Sequence, residues 1–285
     1  MDPRTRYISL FSGVGGLDLA VRIALPESRC VCFVEGEVPA TEVLAARMEE
    51  GSVEDAPIWS DVRSFDGKPW HGLVDGIVGG FPCQDLSVAG KGEGIKRGNR
   101  SGLWFQFARI IREVQPQWVF IENVSPVLHF PAGRTVLGEL AEMGFDAEWL
   151  TLAADAVGAP HKRERVFILA YPASARGAAG LSGPDAGDEG QPKVPIDGGC
   201  GLFPPGPNDH EAWRELLVRE PWLRPAWSQE EAERLLRGEF TGPAPELDIE
   251  DRTDRLRSLG NLVCPLQGAV ALAVSRGMMR NAKSQ

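Results

Sequence analysis

The stretch Phe11-Ser12-Gly13-Val14-Gly15-Gly16 decides the fold, because it joins a strand candidate at residues 7–11 to a helical pattern at residues 16–24. Glycines permit a tight turn and a close approach of the backbone to a ligand, and a helix N-terminus offers free N–H groups. Glu35 ends the next strand candidate, where its carboxylate can accept hydrogen bonds from ribose hydroxyls. The pattern suits a dinucleotide or S-adenosylmethionine, and a plain glycine-rich turn is the alternative.

Strand and helix candidates alternate along the first part of the chain. The further strand candidates span residues 31–34, 74–78, 118–121 and 166–170, and the helix candidates span residues 39–48, 103–114 and 135–143. Such alternation predicts an α/β fold with a doubly wound, mostly parallel sheet. A last helical pattern, at about residues 263–278, has the apolar spacing to pack back on this first domain.

A change in composition after Tyr171 marks the end of the sheet-forming region. Residues 172–206 are rich in Gly, Pro, Ala, Ser and Asp, and two short amphipathic helices are predicted at residues 208–219 and 228–237. A chain of 285 residues, 43% of them hydrophobic, can bury one α/β core and still leave a small second module. We therefore predict a first domain at 1–171, a small irregular region at 172–250, and a segment at 251–285 that returns to the first domain.

The five cysteines include no CxxC pair, so we expect neither a metal site nor a disulfide framework. Cys30 and Cys32 lie in an apolar run and are expected to be buried. The N-terminus carries no apolar signal segment, and no run approaches the roughly 18 apolar residues of a membrane span. These features predict a reduced, cytosolic protein that does not bind a membrane.

The formal net charge of −10 argues against nucleic-acid binding, because contacts with phosphates need cations. The local distribution of charge allows it. Basic residues cluster at 91–100, at 161–165 and, mixed with acidic residues, at 251–257. One basic face on an acidic body is one interpretation, and ordinary solvated surface charge is the other.

The segment Gly79-Gly80-Phe81-Pro82-Cys83-Gln84 follows the strand candidate that ends at Val78. In open α/β sheets, loops at the carboxyl ends of strands form the active-site crevice. Proline fixes its own backbone angle and can hold the next side chain in place, so the Cys83 thiol can act as a nucleophile. A lone cysteine is more often buried and inert, but this context favours the nucleophile. The basic, glycine-rich loop that follows could close over a polyanionic substrate.

Two further groups of polar residues stand at strand ends. Glu122-Asn123-Val124 follows the candidate strand at 118–121, so Glu122 is a candidate acid or hydrogen-bond partner, and Asn123 could orient it or hold the backbone. Arg163 and Arg165 alternate with neighbours at the entry of the last strand candidate, which predicts that they share one face. Two guanidinium groups on one face could bind a phosphate or a carbonyl oxygen. Solvated strand ends are the alternative for both groups.

Taken together, these motifs resemble the DNA (cytosine-5)-methyltransferase family of prokaryotic or phage type. They occur in the family's order and cover residues 7–171 and 251–278. The matching motifs are Phe11 to Gly16, Glu35, Asp61-Val62, Pro82-Cys83-Gln84, Arg100-Ser101-Gly102-Leu103, Glu122-Asn123-Val124, His161-Lys162-Arg163-Glu164-Arg165 and Gly260-Asn261-Leu262-Val263-Cys264-Pro265. Two positions depart from the family's pattern: His161 replaces a glutamine, and Leu262 replaces a smaller residue.

The resemblance implies a class I methyltransferase fold, Rossmann-like, in which residues 172–250 are the target-recognition region. It also implies methyl transfer from S-adenosyl-L-methionine to carbon 5 of a flipped-out cytosine in a specific duplex DNA sequence, through a covalent cysteine adduct at carbon 6 and without a metal. The implied partners are double-stranded DNA and a cognate restriction endonuclease. We expect a monomer in the cytoplasm of a prokaryotic cell or of a phage host.

The resemblance further assigns site residues. The implied catalytic residues are Cys83, Glu122, Arg163 and Arg165. The implied cofactor-binding residues are Phe11, Ser12, Gly13, Gly15, Gly16, Glu35, Asp61, Val62, Leu103, Asn261 and Val263. The implied substrate-binding residues are Pro82, Gln84, Ser87, Lys91 and Asn123.

Three other functions can be built on the same motifs. A tRNA cytosine-5 methyltransferase has the same fold and differs in its substrate. A non-catalytic nucleic-acid binder is disfavoured by the intact Cys83, Glu122 and Arg165. A nicotinamide-dependent oxidoreductase would use the glycine loop but leaves Pro82-Cys83 and Glu122-Asn123 without a role. The sequence does not reveal the DNA site that is recognised.

Overall fold

The computed structural model describes residues 5–82, 100–128, 131–159, 162–175 and 263–282. The described residues fall into two compact units, of which the smaller holds 153–159 and 162–163. That smaller unit contains a 3₁₀ helix at Ala154–Val157, and the N–H of Ala154 donates to the carbonyl of Lys162 at 2.7 Å. The larger unit contains the sheet and the helices that pack on it. The predicted domain bounds remain a prediction, because nearly all of 172–250 lies outside the described residues.

Seven strands form one sheet in the larger unit. They are β1 (Thr5–Leu10), β2 (Ser28–Val34), β3 (Ile58–Trp59), β4 (Gly76–Gly79), β5 (Trp118–Asn123), β6 (Phe145–Leu152) and β7 (Arg165–Pro172). The α-helices of the described residues are α1 (Gly16–Ala24), α2 (Val38–Glu49), α3 (Trp104–Val114), α4 (Ala132–Glu142) and α5 (Pro265–Ala282). Helix α1 has the bounds that the sequence predicts. The predicted helices at 208–219 and 228–237 lie outside the described residues.

The strand order is β3-β2-β1-β4-β5-β7-β6. The pairs β1–β2, β1–β4, β2–β3 and β4–β5 are parallel, whereas β7 runs antiparallel to both β5 and β6. This confirms the predicted doubly wound, mostly parallel α/β sheet. The sequence did not indicate β3 or β6. β3 has two residues, and β6 pairs only with β7 and carries half-exposed polar side chains.

The chain order reverses between β1 and β4, which is where open α/β sheets bind ligands. Leu10 at the end of β1 is in register with Gly79 at the end of β4. A Cβ on Gly79 would lie 2.3 Å from the carbonyl oxygen of Leu10, so this position accepts only glycine. The loops that leave β1 and β4 therefore start side by side.

Helices cover the sheet with apolar faces. The sequence predicts a helical face of Leu103, Phe107, Ile110, Ile111 and Val114, and α3 buries the last four completely. Leu103 precedes the helix and is half-buried, and Trp104 is buried although the predicted face did not include it. Helix α5 packs on α1, as its apolar pattern predicts. A Cβ on Gly268 would lie 2.8 Å from the Cβ of Ala20, so glycine allows the two helices to approach closely. None of the helices in the described part of the chain combines the length and apolarity that a membrane span requires.

A buried acid lies beneath the glycine loop. The Asp18 carboxylate, in the first turn of α1, accepts a hydrogen bond from Ser9 Oγ at 2.9 Å and has the Tyr7 hydroxyl nearby. Burial raises the pKa of Asp18 from 3.8 to about 6, against the opposing effect of these hydrogen bonds. The native protein therefore holds this proton at pH values where the unfolded chain has released it.

We expect ionisation of Asp18 to lower the stability of the protein as the pH rises from about 4 to above 6. Asp18→Asn should abolish this contribution to the pH dependence. The pKa difference corresponds to about 3 kcal/mol, lost progressively through this window because ionised Asp18 is buried. Urea unfolding of both proteins across this range measures it, with Asp66→Asn at an exposed site as the control. A stability difference between wild type and Asp18→Asn that does not change with pH would contradict the prediction.

Candidate active site

The glycine loop after β1 contains three residues with left-handed backbone angles. They are Phe11 at φ 54°, Gly13 at φ 54° and Gly15 at φ 79°. The turn closes through a hydrogen bond from Gly15 N–H to the Ser12 carbonyl at 2.9 Å. Ser12 Oγ donates in turn to the carbonyl of Ser9 at 3.0 Å, inside the sheet. These hydrogen bonds within the protein hold the loop in a defined shape.

Glu35 at the end of β2 is 8% exposed, and its carboxylate holds this loop. One oxygen accepts the N–H of Gly13 at 2.6 Å, and the other accepts the N–H of Glu37 at 2.7 Å. A carboxylate has about four acceptor positions, so two remain for ribose hydroxyls. Among the described residues, none lies within 4 Å of where a Cβ on Gly13 would be. These residues fit the nucleoside part of S-adenosylmethionine.

The other cofactor-binding candidates are described only in part. Val62 is buried, Leu103 and Val263 are half-buried, and Asn261 lies outside the described residues. The Asp61 carboxylate accepts the N–H of Arg63 at 2.9 Å, which stabilises a turn after β3. The structure brings Phe11 to Gly16 and Glu35 together, and it places Asp61-Val62 directly after the neighbouring edge strand.

Arg109 of α3 holds this turn, and the sequence did not single it out. Its guanidinium donates to the carbonyls of Val62 and Phe65, each at 2.9 Å, and pairs with Glu113 at 2.8 Å. The spacing of Arg109 and Glu113, four residues apart on a helix, was the available signal for their pairing. Its contact with the turn after β3 could not be predicted, because the two segments are 47 residues apart.

The segment that leads to the predicted nucleophile is held from β5. Phe81 is buried and packs against the indole of Trp104, with the ring centroids 5.2 Å apart. Asn123 Nδ2 donates to the carbonyl of Phe81 at 3.0 Å, and Asn123 Oδ1 accepts the N–H of Val124 at 2.8 Å. Pro82 is the last described residue of this segment. Cys83, Gln84, Ser87 and Lys91 lie outside the described residues.

Glu122 and Arg165 form an ion pair at the ends of two neighbouring strands. Arg165 Nε lies 3.0 Å from Glu122 Oε1, and both side chains are mostly buried. The register pairs Glu122 with Phe167, so Arg165 lies diagonally across the antiparallel pair on the same face of the sheet. The sequence selected both residues separately, and the antiparallel pairing brings them together.

Gly80 lies against this ion pair. A Cβ there would be 2.9 Å from Glu122 Oε2 and 3.0 Å from the Glu122 carbonyl oxygen. On the other side, Ser125 Oγ donates to Glu164 at 2.8 Å, and Arg165 donates to the Glu164 carbonyl at 2.7 Å. The carboxylate of Glu122 therefore has little freedom to move.

The prediction that Arg163 and Arg165 alternate on one face of a strand is wrong. Strand β7 begins at Arg165, and Arg163 has a φ of 25°, which no extended strand adopts. The alternation of side chains along a strand therefore does not place Arg163 on the same face as Arg165. His161 lies outside the described residues.

Two of the described cysteines, Cys30 and Cys32, are buried as the sequence predicts. Cys30 and Cys32 are free and buried in β2, and Cys264 is also free and buried. Burial raises the pKa of the Cys30 thiol well above its usual value and that of Cys32 to about 11, so neither is a reactive thiolate at neutral pH. No group of three metal-binding side chains occurs among the described residues.

The family model of the C-5 cytosine-specific DNA methylases matches residues 5–180, which is more than half of the chain. The chain belongs to this family, as its motifs predict. The family's fold is the Rossmann-like fold of S-adenosylmethionine-dependent methyltransferases, and the seven-stranded sheet is consistent with it.

Named relatives agree with this membership. The chain is 33% identical over 166 residues to the type II methyltransferase M.CviJI of Paramecium bursaria Chlorella virus IL3A, covering 58% of this chain and 42% of the relative. It is 34% identical over 171 residues to the type II methyltransferase M.HhaI of Haemophilus parahaemolyticus, covering 58% and 49%. The chain thus matches less than half of the length of either relative.

A solved structure shares the fold. It is a protein encoded within an Escherichia coli prophage and described as a DNA modification methyltransferase. The sequence identity is 25% and the TM-score is 0.50, over 62% of this chain and 49% of the other.

We expect Asn123→Asp to destabilise the protein by about 1–3 kcal/mol, because the buried Phe81 carbonyl loses its donor and faces a second acceptor. Urea unfolding followed by tryptophan fluorescence measures this change. Ser125→Ala, two residues along, removes only a surface hydrogen bond and should cost less than about 1 kcal/mol. Equal unfolding midpoints for wild type and Asn123→Asp would contradict the assignment.

Proposed function

We propose that this chain transfers a methyl group from S-adenosyl-L-methionine to carbon 5 of cytosine at specific sites in duplex DNA. The observation that carries the proposal is the buried ion pair of Glu122 and Arg165 beside the Gly80-Phe81-Pro82 segment that leads to Cys83. The strand that supplies this segment, β4, adjoins β1, which supplies the glycine loop. A nucleophile, a base-binding pair and a cofactor loop therefore come from neighbouring strand ends.

The cofactor would lie on the loop at Phe11 to Gly16, with Glu35 on its ribose and Asp61-Val62 on its adenine, and Leu103, Asn261 and Val263 complete the proposed set. When bound, S-adenosylmethionine supplies an electrophilic methyl group. The chain's own contribution is a preformed loop whose amide of Gly13 and carbonyl of Val14 are already held by Glu35 and Arg47. Little ordering is then needed on binding.

The substrate base must leave the duplex to reach these groups. The Cys83 thiolate would form a bond to carbon 6, and the electron pair of the ring's C5–C6 double bond would shift toward carbon 5. Glu122 would donate a proton to ring nitrogen 3 and bind the exocyclic amine, and Arg165 would bind the ring carbonyl oxygen. The electron-rich carbon 5 would then bond to the methyl group, and the electron pair of the broken carbon–sulfur bond would stay with the sulfur of the departing S-adenosylhomocysteine.

Product release restores the aromatic ring. A water molecule would take the proton on carbon 5, whose electron pair re-forms the C5–C6 double bond while the C6–S bond breaks and leaves its pair on the Cys83 sulfur. Glu122 would take back the proton from ring nitrogen 3. Arg163 would steady the site near Cys83, and Pro82, Gln84, Ser87, Lys91 and Asn123 would contact or orient the substrate. No step requires a metal.

We propose that the protein acts as a monomer in the cytoplasm of a prokaryotic cell or phage host, alongside a cognate restriction endonuclease. The type II names of the relatives support this setting.

The decisive experiment is the transfer of labelled methyl from S-adenosylmethionine to unmethylated duplex DNA, followed by mass spectrometry of the digested nucleosides. We expect 5-methylcytosine with the wild type and none with Cys83→Ala, because the covalent step needs the thiolate. Cys30→Ala, at a buried structural position, is the matched control and should retain transfer when folded. Transfer to tRNA but not to DNA would indicate the RNA-modifying class, and undiminished transfer by Cys83→Ala would refute the covalent mechanism.

We also expect Gly80→Ala to lower the rate of methyl transfer by about tenfold or more while binding of S-adenosylhomocysteine is unchanged. The added Cβ would displace the Glu122 carboxylate from Arg165, and small displacements of catalytic groups have large kinetic effects. Gly138→Ala is the control, since a Cβ there meets nothing within 4 Å and the helix α4 gains a better helix former. A Gly80→Ala protein with the wild-type rate would show that the position of Glu122 is not critical.

A further inference from the structure

Arg47, near the end of helix α2, reaches the centre of the glycine loop. Its guanidinium donates to the carbonyl oxygen of Val14 at 2.7 Å, across 33 residues of sequence. The side chain is half-buried, so this is a partly shielded contact from a charged donor, which is stronger than a neutral hydrogen bond.

The hydrogen bond fixes one end of a single peptide unit. The carbonyl of Val14 and the N–H of Gly15 belong to the same planar group. The N–H of Gly15 donates to the Ser12 carbonyl at 2.9 Å, so both ends of the plane are held in opposite directions. Gly15 itself has a φ of 79°, and glycine tolerates many other backbone angles. Without Arg47, rotation of this peptide plane is opposed at one end only.

Arg47 is itself anchored. Its carbonyl accepts the N–H groups of Ser52 and Val53, at 2.9 Å and 3.3 Å, so the turn after α2 folds back over it. The side chains of Val53 and Leu44 lie where a Cβ on Gly15 would be 3.1 Å and 3.2 Å away. The end of α2 and its turn therefore lie against the loop at Gly15 and leave no free room for a side chain there, and Arg47 adds one charged hydrogen bond at Val14.

We propose that Arg47 is a positioning residue that holds the Val14–Gly15 peptide in the orientation that binds S-adenosylmethionine, and so sets the affinity for this cofactor. The inference rests on the proposed cofactor of this site. It concerns a residue outside the motifs of the sequence analysis. Arg47 stabilises one conformation of the free loop. Its loss should therefore weaken cofactor binding even when no DNA is present.

The test is isothermal titration of the full chain with S-adenosylhomocysteine, with no DNA present. Arg47→Met keeps most of the aliphatic stem and removes the donor, and its Kd should be about fivefold to twentyfold higher than that of wild type. Arg47→Lys keeps a charged donor on a shorter side chain with no planar fork, and its Kd should fall between those of wild type and Arg47→Met.

Arg22→Met is the matched control. Arg22 of α1 donates to the carbonyls of Gly51 and Ser52, in the same turn after α2, and has no hydrogen bond to the glycine loop. Its loss should change the Kd by less than about twofold. Hydrogen exchange of the Gly15 amide in the free protein is a second readout, and it should accelerate in Arg47→Met but not in Arg22→Met.

The outcomes separate the inference from the proposed function. If wild type and both Arg47 variants bind S-adenosylhomocysteine equally and the Gly15 amide exchanges equally, the role of Arg47 is refuted while the cofactor assignment stands. If wild type binds neither S-adenosylhomocysteine nor S-adenosylmethionine, the cofactor assignment fails and the inference falls with it. If Arg47→Met does not fold, Arg47→Lys alone decides, through the same Kd and exchange measurements.

Discussion

The contact of β1 with β4 is the constraint on which the rest of the site depends. Gly79 approaches the carbonyl of Leu10 so closely that a single methyl group would force the strands apart. Because these strands are parallel and in register, both chains leave the sheet at the same edge. The cofactor loop and the segment leading to Cys83 then begin as neighbours. A pair of strands that is antiparallel, or one residue out of register, would not align these two exits.

Three buried acids near these strands have three different kinds of partner. Glu35 accepts backbone N–H groups with both of its oxygens and holds the glycine loop in shape. Glu122 pairs with the guanidinium of Arg165, and both side chains are mostly buried. Asp18 has only neutral donors, and burial raises its pKa to about 6. A buried carboxylate therefore serves at Glu35 as a structural clamp, at Glu122 as a proposed proton donor and at Asp18 as a source of pH dependence.

Local pattern predicted the elements that are regular along the chain. Helix α1 has the predicted bounds, α3 buries the predicted face, and Cys30 and Cys32 are buried as expected, because each depends on hydrophobic periodicity or on an apolar run. Strand β6 was missed because an edge strand keeps polar side chains on its half-exposed faces. The alternation of Arg163 with Arg165 was wrong because the strand begins only at Arg165.

The sequence by itself determined the family, the mostly parallel α/β sheet and the residue types of the site, since motifs and periodicity are local properties of the chain. Tertiary structure alone decided the ion pair of Glu122 with Arg165, the hydrogen bond of Asn123 to the Phe81 carbonyl, and the contact of Arg47 with Val14. Each of these joins residues between 33 and 43 positions apart. Contacts of that kind depend on strand register and helix placement, which the packing of the whole core sets and no short stretch of sequence encodes.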